Sequence, residues 1–381
     1  MELSFTEEQH LFRRSVAEFI QKEVAPRADE QDESGEFPWD WFKRCAELGY
    51  FGVRYPGEVG GSDAGFTSYC ILCEEVARGQ MALALTVAMQ CMMGTDFIYR
   101  FGTDEHRERL LKPAIRGEKV GAFALTEPNA GSDLGGIRTT VVRDGDSYIL
   151  NGTKLWITSA QVADFFTVLA TRDRELGVKG VDFYLVEKGT PGLEISRDIK
   201  KLGTRGSVCA EIVLDNCRIP AENLLGEEQG TGVKNLQEIL AQIRIMTGAL
   251  GLGLARAAYD AALQYSRERE AFGRPIGKFQ AIRHKLADMA VDIHASHLLV
   301  YDTAARIERG ERPMKESAMA KLFATEAANR CADEATRIYA SYGFAMEYPI
   351  QRYYRDARFL LLGGGTSELL RNIIAADIWG K

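Results

Sequence analysis

The hydrophobic pattern changes period twice along this 381-residue chain, and few architectures allow that. Up to about residue 120 the apolar residues recur at helical spacing. Phe12, Val16, Phe19, Ile20 and Val24 follow a Thr6/Gln9 capping box, and Pro26 ends the run. Further helices are predicted over residues 38–48, 68–78, 82–100 and 106–115. From about Gly121 short strand-like segments take over, at 122–125, 148–150, 154–157, 165–170, 183–187 and 211–214. Asn151-Gly152 predicts a hairpin turn between two of them. From about Gly232 the helical period returns over 233–270, 279–309 and 317–342. A last helix runs through Leu369, Leu370, Ile373 and Ile374, with Thr366 and Ser367 at its start. The fold class predicted is α+β: helices over 1–120, a β unit over 121–228 and a helical bundle over 229–381.

Bulk chemistry narrows the function. A net charge of −7 argues against general binding to nucleic acid or anionic membranes. No run of about 20 apolar residues stands out, so no membrane span is expected. The acidic start MELSFTEEQH has no apolar signal core, which predicts a soluble, cytoplasmic protein. The seven cysteines are irregularly spaced, as for reduced thiols. Cys70 and Cys73 form a lone CxxC with no second ligand pair, so a buried helix face is expected there and no metal site. GxGxxG after a first strand, GxxxxGK[ST], HExxH and GxSxG are all missing. Their absence counts against nicotinamide-type Rossmann binding, P-loop chemistry, zinc hydrolysis and a nucleophile elbow.

Several stretches carry possible chemistry. In RDARFLLLGGGTSELLR (355–371), Gly363, Gly364 and Gly365 let the backbone approach a ligand, and the following helix start offers N–H groups to anions. Read alone, it is also a plain loop before a helix. LTEPNAGSD (125–133) places hydroxyls and free amides after a strand. In KLWIT (154–158), alternation sets Trp156 and Thr158 on one face, either against a ligand or in the core. REREAFGRPI (267–276) sets arginines beside Phe272, fit either to hold a pyrophosphate or to end a helix.

Together, LTEPNAGSD, KLWITS, REREAFGRPI, IYASYG and RDARFLLLGGGTSE resemble the acyl-CoA dehydrogenase family, in matching order over essentially the whole chain. The resemblance implies an N-terminal helical domain, a central β domain and a C-terminal four-helix bundle. It implies FAD as cofactor, an acyl-CoA substrate, a homotetramer, and electron-transferring flavoprotein as acceptor. Carried over by motif, Thr126 bonds the flavin ring and Ser132 lies near the phosphates or CoA. Trp156 packs on the isoalloxazine and Thr158 bonds near N5. Arg269, Phe272 and Gln280 meet the FAD of a neighbouring subunit, Thr366 and Glu368 lie against FAD, and Arg244 sits close to the thioester.

The departures from the family pattern carry more information. An aromatic and a glutamate normally precede Gly-Thr-Ser, and that glutamate is the base; here those positions are Gly363 and Gly364. Some members carry the base just before the bundle arginine, which here is Ile243. In IYASYG the usual glutamine and two glycines are Arg337, Ala340 and Ser341, so Arg337 is expected to supply a charged bond to FAD. Gly364 keeps its backbone N–H, which implies that carbonyl polarisation survives while proton abstraction by this residue does not. Asp96, a lone carboxylate in VAMQCMMGTDFIY, is the candidate base, with a pKa raised by burial; a carboxylate bonded to backbone or facing solvent is the other reading. Missing glutamate plus Asp96 resembles the family branch acting on cyclohexene- or cyclohexane-carboxyl-CoA. An enoyl-CoA reductase and a non-catalytic flavoprotein subunit are the alternatives.

Overall fold

The computed structural model describes residues 5–380. The N-terminal unit holds α1 (Glu7–Phe19), α2 (Ala28–Ser34), α3 (Trp39–Glu47), α4 (Gly65–Gly79), α5 (Met81–Ala88), α6 (Asp96–Phe101), α7 (Asp104–His106) and α8 (Lys112–Ile115). The expected capping box opens α1: the Thr6 hydroxyl accepts from the Gln9 amide, and the Gln9 side chain accepts from the Thr6 amide. Cys70 and Cys73 are buried on α4.

The single helix expected over residues 82–100 is broken. After α5 the chain passes through a π-helical turn, Met89–Met93, and restarts at Asp96. Gly94 explains the break. A Cβ there would lie 2.5 Å from the Gly121 carbonyl oxygen, so the helix end and the first strand meet backbone to backbone. Two stretches, Met81–Phe101 and Gly232–Glu268, reach the length and hydropathy of a membrane span, but both lie in the core, with 94% and 83% of their most apolar windows buried inside the protein.

The middle unit is one seven-stranded sheet: β1 (Gly121–Ala124), β2 (Thr140–Asp144), β3 (Ser147–Thr158), β4 (Phe165–Thr171), β5 (Val181–Glu187), β6 (Leu193–Asp198) and β7 (Cys209–Pro220). The strand order is β1-β4-β2-β3-β7-β6, with β5 also on β4. β4 is buried throughout because it serves two cores. Phe165 and Leu169 face the helices, while Phe166, Val168 and Ala170 face the sheet's own interior.

Three expectations need correction here. Asn151-Gly152 is no hairpin turn: it lies inside β3, which runs unbroken through both segments expected as separate strands. Gly152 marks a bulge against β7, and a Cβ on it would lie 2.5 Å from the Thr139 hydroxyl. The tight turn is Gly145-Asp146, between β2 and β3. β2 and β6 were not expected, because most of their residues are exposed or half-buried and carry no apolar run.

The C-terminal unit holds α9 (Gly232–Glu268), the small hairpin β8 (Glu270–Ala271) and β9 (Arg274–Pro275), α10 (Gln280–Glu308), α11 (Met314–Tyr339), α12 (Pro349–Leu360) and α13 (Ser367–Trp379). α9 is the central post, packed on α10, α11, α12 and, outside the bundle, α4. At Gly253 a Cβ would lie 2.1 Å from the Glu74 carbonyl oxygen, so α9 and α4 touch through their backbones. Beside that contact the buried Glu74 carboxylate binds Arg13, Arg256 and the Tyr301 hydroxyl, which ties α1 and α4 to the bundle.

Candidate active site

The β unit supplies one wall of the site. The Leu155 amide donates to the Thr126 carbonyl at 2.8 Å and fastens the loop after β1 to β3. Lys154, fully buried, donates to the Leu125 carbonyl at 3.0 Å and to Glu127 Oε1 at 2.7 Å. Glu127 in turn accepts from the amides of Arg138 and Thr139. Burial pushes Lys154 down to about 8 against the pull of Glu127. Burial alone would raise Glu127, but the Lys154 ammonium and these amides hold it below the ordinary carboxylate value. Sequence reasoning missed this pair; its signal was a lysine and a glutamate inside the two motifs themselves.

A bulge between Lys154 and Ile157 turns Trp156 outward, at φ 63° and 54% exposed. Trp156 is therefore not a core tryptophan. Its chain neighbour Leu155 is bonded to Thr126, and the half-buried Thr158 lies two residues on. Ser132 is exposed in the loop, just before Asp133, which caps the turn at Gly135. An exposed indole flanked by two hydroxyls and a loop of free amides suits a flat heteroaromatic ring carrying a phosphate tail.

The second group lies at the end of the bundle. Arg269 follows α9, its guanidinium 5.5 Å from the Tyr342 ring centroid. Phe272, at φ 52° and 94% exposed, tips the β8–β9 hairpin, and Gln280 opens α10. Among the described residues no hydrogen bond joins these three to the Trp156 group. Arg337 is exposed and pairs with Asp333 at 2.7 Å, one turn away on α11.

The third group surrounds the glycines. Thr366 caps α13 by accepting from the Leu369 amide at 3.3 Å, and Glu368 is exposed in the first turn. Gly364 has φ 70° and Gly365 φ 102°. The Gly364 N–H has no acceptor among the described residues. A Cβ on Gly364 would lie 2.7 Å from the Thr247 hydroxyl of α9, so Thr247 borders the space a side chain at 364 would enter. Lys321, fully buried on α11, donates to the Gly365 carbonyl at 2.7 Å. Arg244, one turn before Thr247, is 5% exposed, and its one hydrogen bond is a long one, 3.4 Å, to the Met314 carbonyl. Burial lowers the pKa of both cations, Lys321 to about 8. Neither Thr247 nor Lys321 was singled out from sequence. Lys321, a lone cation in the apolar run AMAKLFA, was the readable signal.

Asp96 departs from its expectation. It is fully buried, but both carboxylate oxygens are engaged: Oδ1 with Arg54 at 2.7 Å and Oδ2 with Arg100 at 2.7 Å. Arg54 also donates to Gln242, just before Ile243. Burial alone would raise the Asp96 pKa, but the two guanidiniums hold it below the ordinary value. A carboxylate so stabilised as an anion is a weak proton acceptor, so the raised pKa expected for a base is not found.

Comparison with known proteins places this geometry. The acyl-CoA dehydrogenase N-terminal, middle and C-terminal domains match residues 6–118, 122–217 and 230–379. Benzylmalonyl-CoA dehydrogenase of Aromatoleum aromaticum is 49% identical, covering 99% of this chain and 100% of its own. A 3-(aryl)acrylate reductase of Clostridium sporogenes is 40% identical, covering 98% and 99%. The butyryl-CoA dehydrogenase structure from Megasphaera elsdenii superposes with a TM-score of 0.96 at 35% identity, covering 100% of both chains. The chain belongs to the acyl-CoA dehydrogenase family and is an enzyme that uses FAD, which the exposed Trp156 and its hydroxyl neighbours suit, to act on CH–CH groups of acyl-CoA thioesters.

Proposed function

We propose that this enzyme oxidises an acyl-CoA bearing a free carboxylate on its α-carbon, a benzylmalonyl-type thioester, with loss of carbon dioxide. One observation carries the reading: neither position that holds the family's base has a carboxylate, because 364 is glycine and 243 is isoleucine. Asp96 offers no substitute while both its oxygens are held by arginines. An α-carboxylate removes the need for a base. The bond from the α-carbon to the carboxylate breaks, its electron pair stays on the α-carbon, and carbon dioxide leaves. The α-hydrogen remains, the β-hydrogen departs as hydride, and a double bond forms between the two carbons. FAD supplies the hydride acceptor.

The chain's own residues have positional tasks in this reading. The free Gly364 N–H donates to the thioester oxygen, where negative charge gathers as carbon dioxide leaves. Lys321 fixes that N–H by gripping the next carbonyl. No side chain projects into the site from Gly363 or Gly364, where the Phe359 ring and the Thr247 hydroxyl stand 2.6 and 2.7 Å from the positions a Cβ would take. Thr126, Trp156 and Thr158 hold the flavin ring, and Ser132, Thr366 and Glu368 border the rest of FAD. Arg269, Phe272, Gln280 and Arg337 are assigned to the FAD of an adjoining subunit in a homotetramer. Electron-transferring flavoprotein is the proposed electron acceptor.

The test is anaerobic mixing of holoenzyme with benzylmalonyl-CoA. The expected result is one carbon dioxide released per flavin bleached, with an α-deuterium kept in the product. Bleaching without carbon dioxide refutes the reading. The relationship to a 3-(aryl)acrylate reductase favours a second reading, reduction of an arylacrylyl thioester. Reoxidation of the reduced enzyme by cinnamoyl-CoA, with no bleaching by benzylmalonyl-CoA, selects it.

A further inference from the structure

Six cationic side chains among the described residues are at least nine-tenths buried: Arg54, Lys154, Arg244, Lys321, Arg352 and Arg355. Arg54 pairs with Asp96, Lys154 with Glu127, Arg352 with Asp29 and Arg355 with Asp32, at 2.7, 2.7, 2.8 and 2.5 Å. Arg244 and Lys321 have no carboxylate partner, only a backbone carbonyl each. A buried charge without a counter-ion is costly and is normally paired. These two exceptions lie together: Gly248, one turn along α9 from Arg244, backs onto Lys321, with 3.6 Å between a Cβ built there and the Lys321 Cα; Lys321 holds Gly365, and Thr247 borders Gly364. Lys321 feels the charge of Arg244 and also those of Glu326 and Glu368, neither of which reaches it as a salt bridge. The two cations flank Gly364, one of the two positions where the family's carboxylate is missing.

We propose that Arg244 and Lys321 form an anion-binding subsite that takes the free carboxylate of the substrate, which becomes the counter-ion the protein lacks. The proposal rests on the decarboxylative reading and adds the residues that select for it. It also fits the chemistry, because the negative charge is not lost when the carbon–carbon bond breaks. It moves from the carboxylate to the thioester enolate, beside the same cations, so they do not trap the starting state. Without an α-carboxylate, a bound thioester leaves both cations buried and unpaired, so the pair also discriminates against simple acyl-CoAs.

The experiment compares benzylmalonyl-CoA with 3-phenylpropionyl-CoA, which differs by the carboxylate alone. Binding is measured calorimetrically on reduced holoenzyme, where no hydride can be accepted. Wild type should prefer the carboxylated thioester. Arg244→Gln should erase on the order of a hundredfold of that preference, with 3-phenylpropionyl-CoA affinity kept within about threefold. Arg244→Lys should restore part of it, and Lys321→Met should lower it independently should Arg244→Gln not fold. A wild-type preference that survives both Arg244→Gln and Lys321→Met overturns the subsite and leaves the decarboxylative reading standing. Equal wild-type affinities, with no carbon dioxide released by oxidised enzyme, overturn both.

Discussion

Restoring the family's glutamate, Gly364→Glu, probes both the strain at this loop and the chemistry it replaced. Two structural terms oppose any side chain at 364. The backbone is left-handed at φ 70°, which costs a non-glycine residue about 1–2 kcal/mol. The new Cβ would stand 2.7 Å from the Thr247 hydroxyl, a contact that must be relieved by movement at about 1–3 kcal/mol. Gly145 separates the terms. It has φ 60°, and a Cβ added there would meet nothing within 4 Å, so Gly145→Ala carries the first cost alone. Denaturant unfolding should show Gly364→Ala losing about 1–3 kcal/mol more than Gly145→Ala, and Thr247→Ala should recover most of that difference in the double variant. In Gly364→Glu the new carboxylate gains the neighbouring cations Arg244 and Lys321, which offsets part of the loss. The same change should let the enzyme bleach its flavin with 3-phenylpropionyl-CoA at least about a hundredfold faster than wild type, the usual scale of general-base catalysis. Equal losses in Gly364→Ala and Gly145→Ala would refute the packing argument. A folded, FAD-loaded Gly364→Glu with no gain on the simple thioester would refute the view that a base is what this site lacks.

Asp96→Asn should destabilise the fold by about 3–5 kcal/mol, because Arg54 and Arg100 lose their buried partner; turnover abolished with thermal stability unchanged would instead restore Asp96 as a candidate base. Glu74→Gln should cost less, about 1–3 kcal/mol, because Glu75 still pairs with Arg13 at 3.3 Å and with Arg256 at 2.9 Å where the N-terminal unit meets the bundle, and no measurable loss in denaturant unfolding would refute that coupling. Lys321 gives a pH signature. Burial lowers its folded pKa from 10.5 to about 8, so the unfolded chain holds more protons between those values, and stability should rise with pH across that window. Comparison with Lys321→Met between pH 7.5 and 10 should show wild type gaining relative to the variant, by at most about 3 kcal/mol; parallel curves would refute it. Binding of benzylmalonyl-CoA near pH 8.5 should correspondingly take up a proton, read from calorimetry in two buffers of different ionisation enthalpy.

The order of helical, β and helical units was readable because periodicity reports burial, and burial decides those elements. The errors fall where something other than periodicity decides. Asn151-Gly152 has the composition of a turn, yet Gly152 is needed for a backbone contact with Thr139, which only tertiary structure reveals. Residues 82–100 keep a helical apolar pattern through a π turn, because the break at Gly94 serves a contact with Gly121 on a distant strand. β6 is half-exposed and carries no apolar run to read. Trp156 could not be placed in sequence, since strict alternation hides the bulge that turns it outward.

The same limit explains the misreading of Asp96. A carboxylate in an apolar stretch is equally the mark of a raised pKa and of a buried ion pair, and only the partners decide. Arg54 lies 42 residues away and Arg100 four, so one partner was nearby in sequence and the decisive one was not. Arg244 and Lys321 show the converse. Both are cations in apolar helices, and nothing local says that they lack partners. That emerges only when every buried charge is matched with its neighbours and two positive charges remain beside a glycine in the family's glutamate position. On the decarboxylative reading, a missing base and two unmatched cations are then a single fact about charge: the substrate brings the negative group that the protein does not supply beside Gly364.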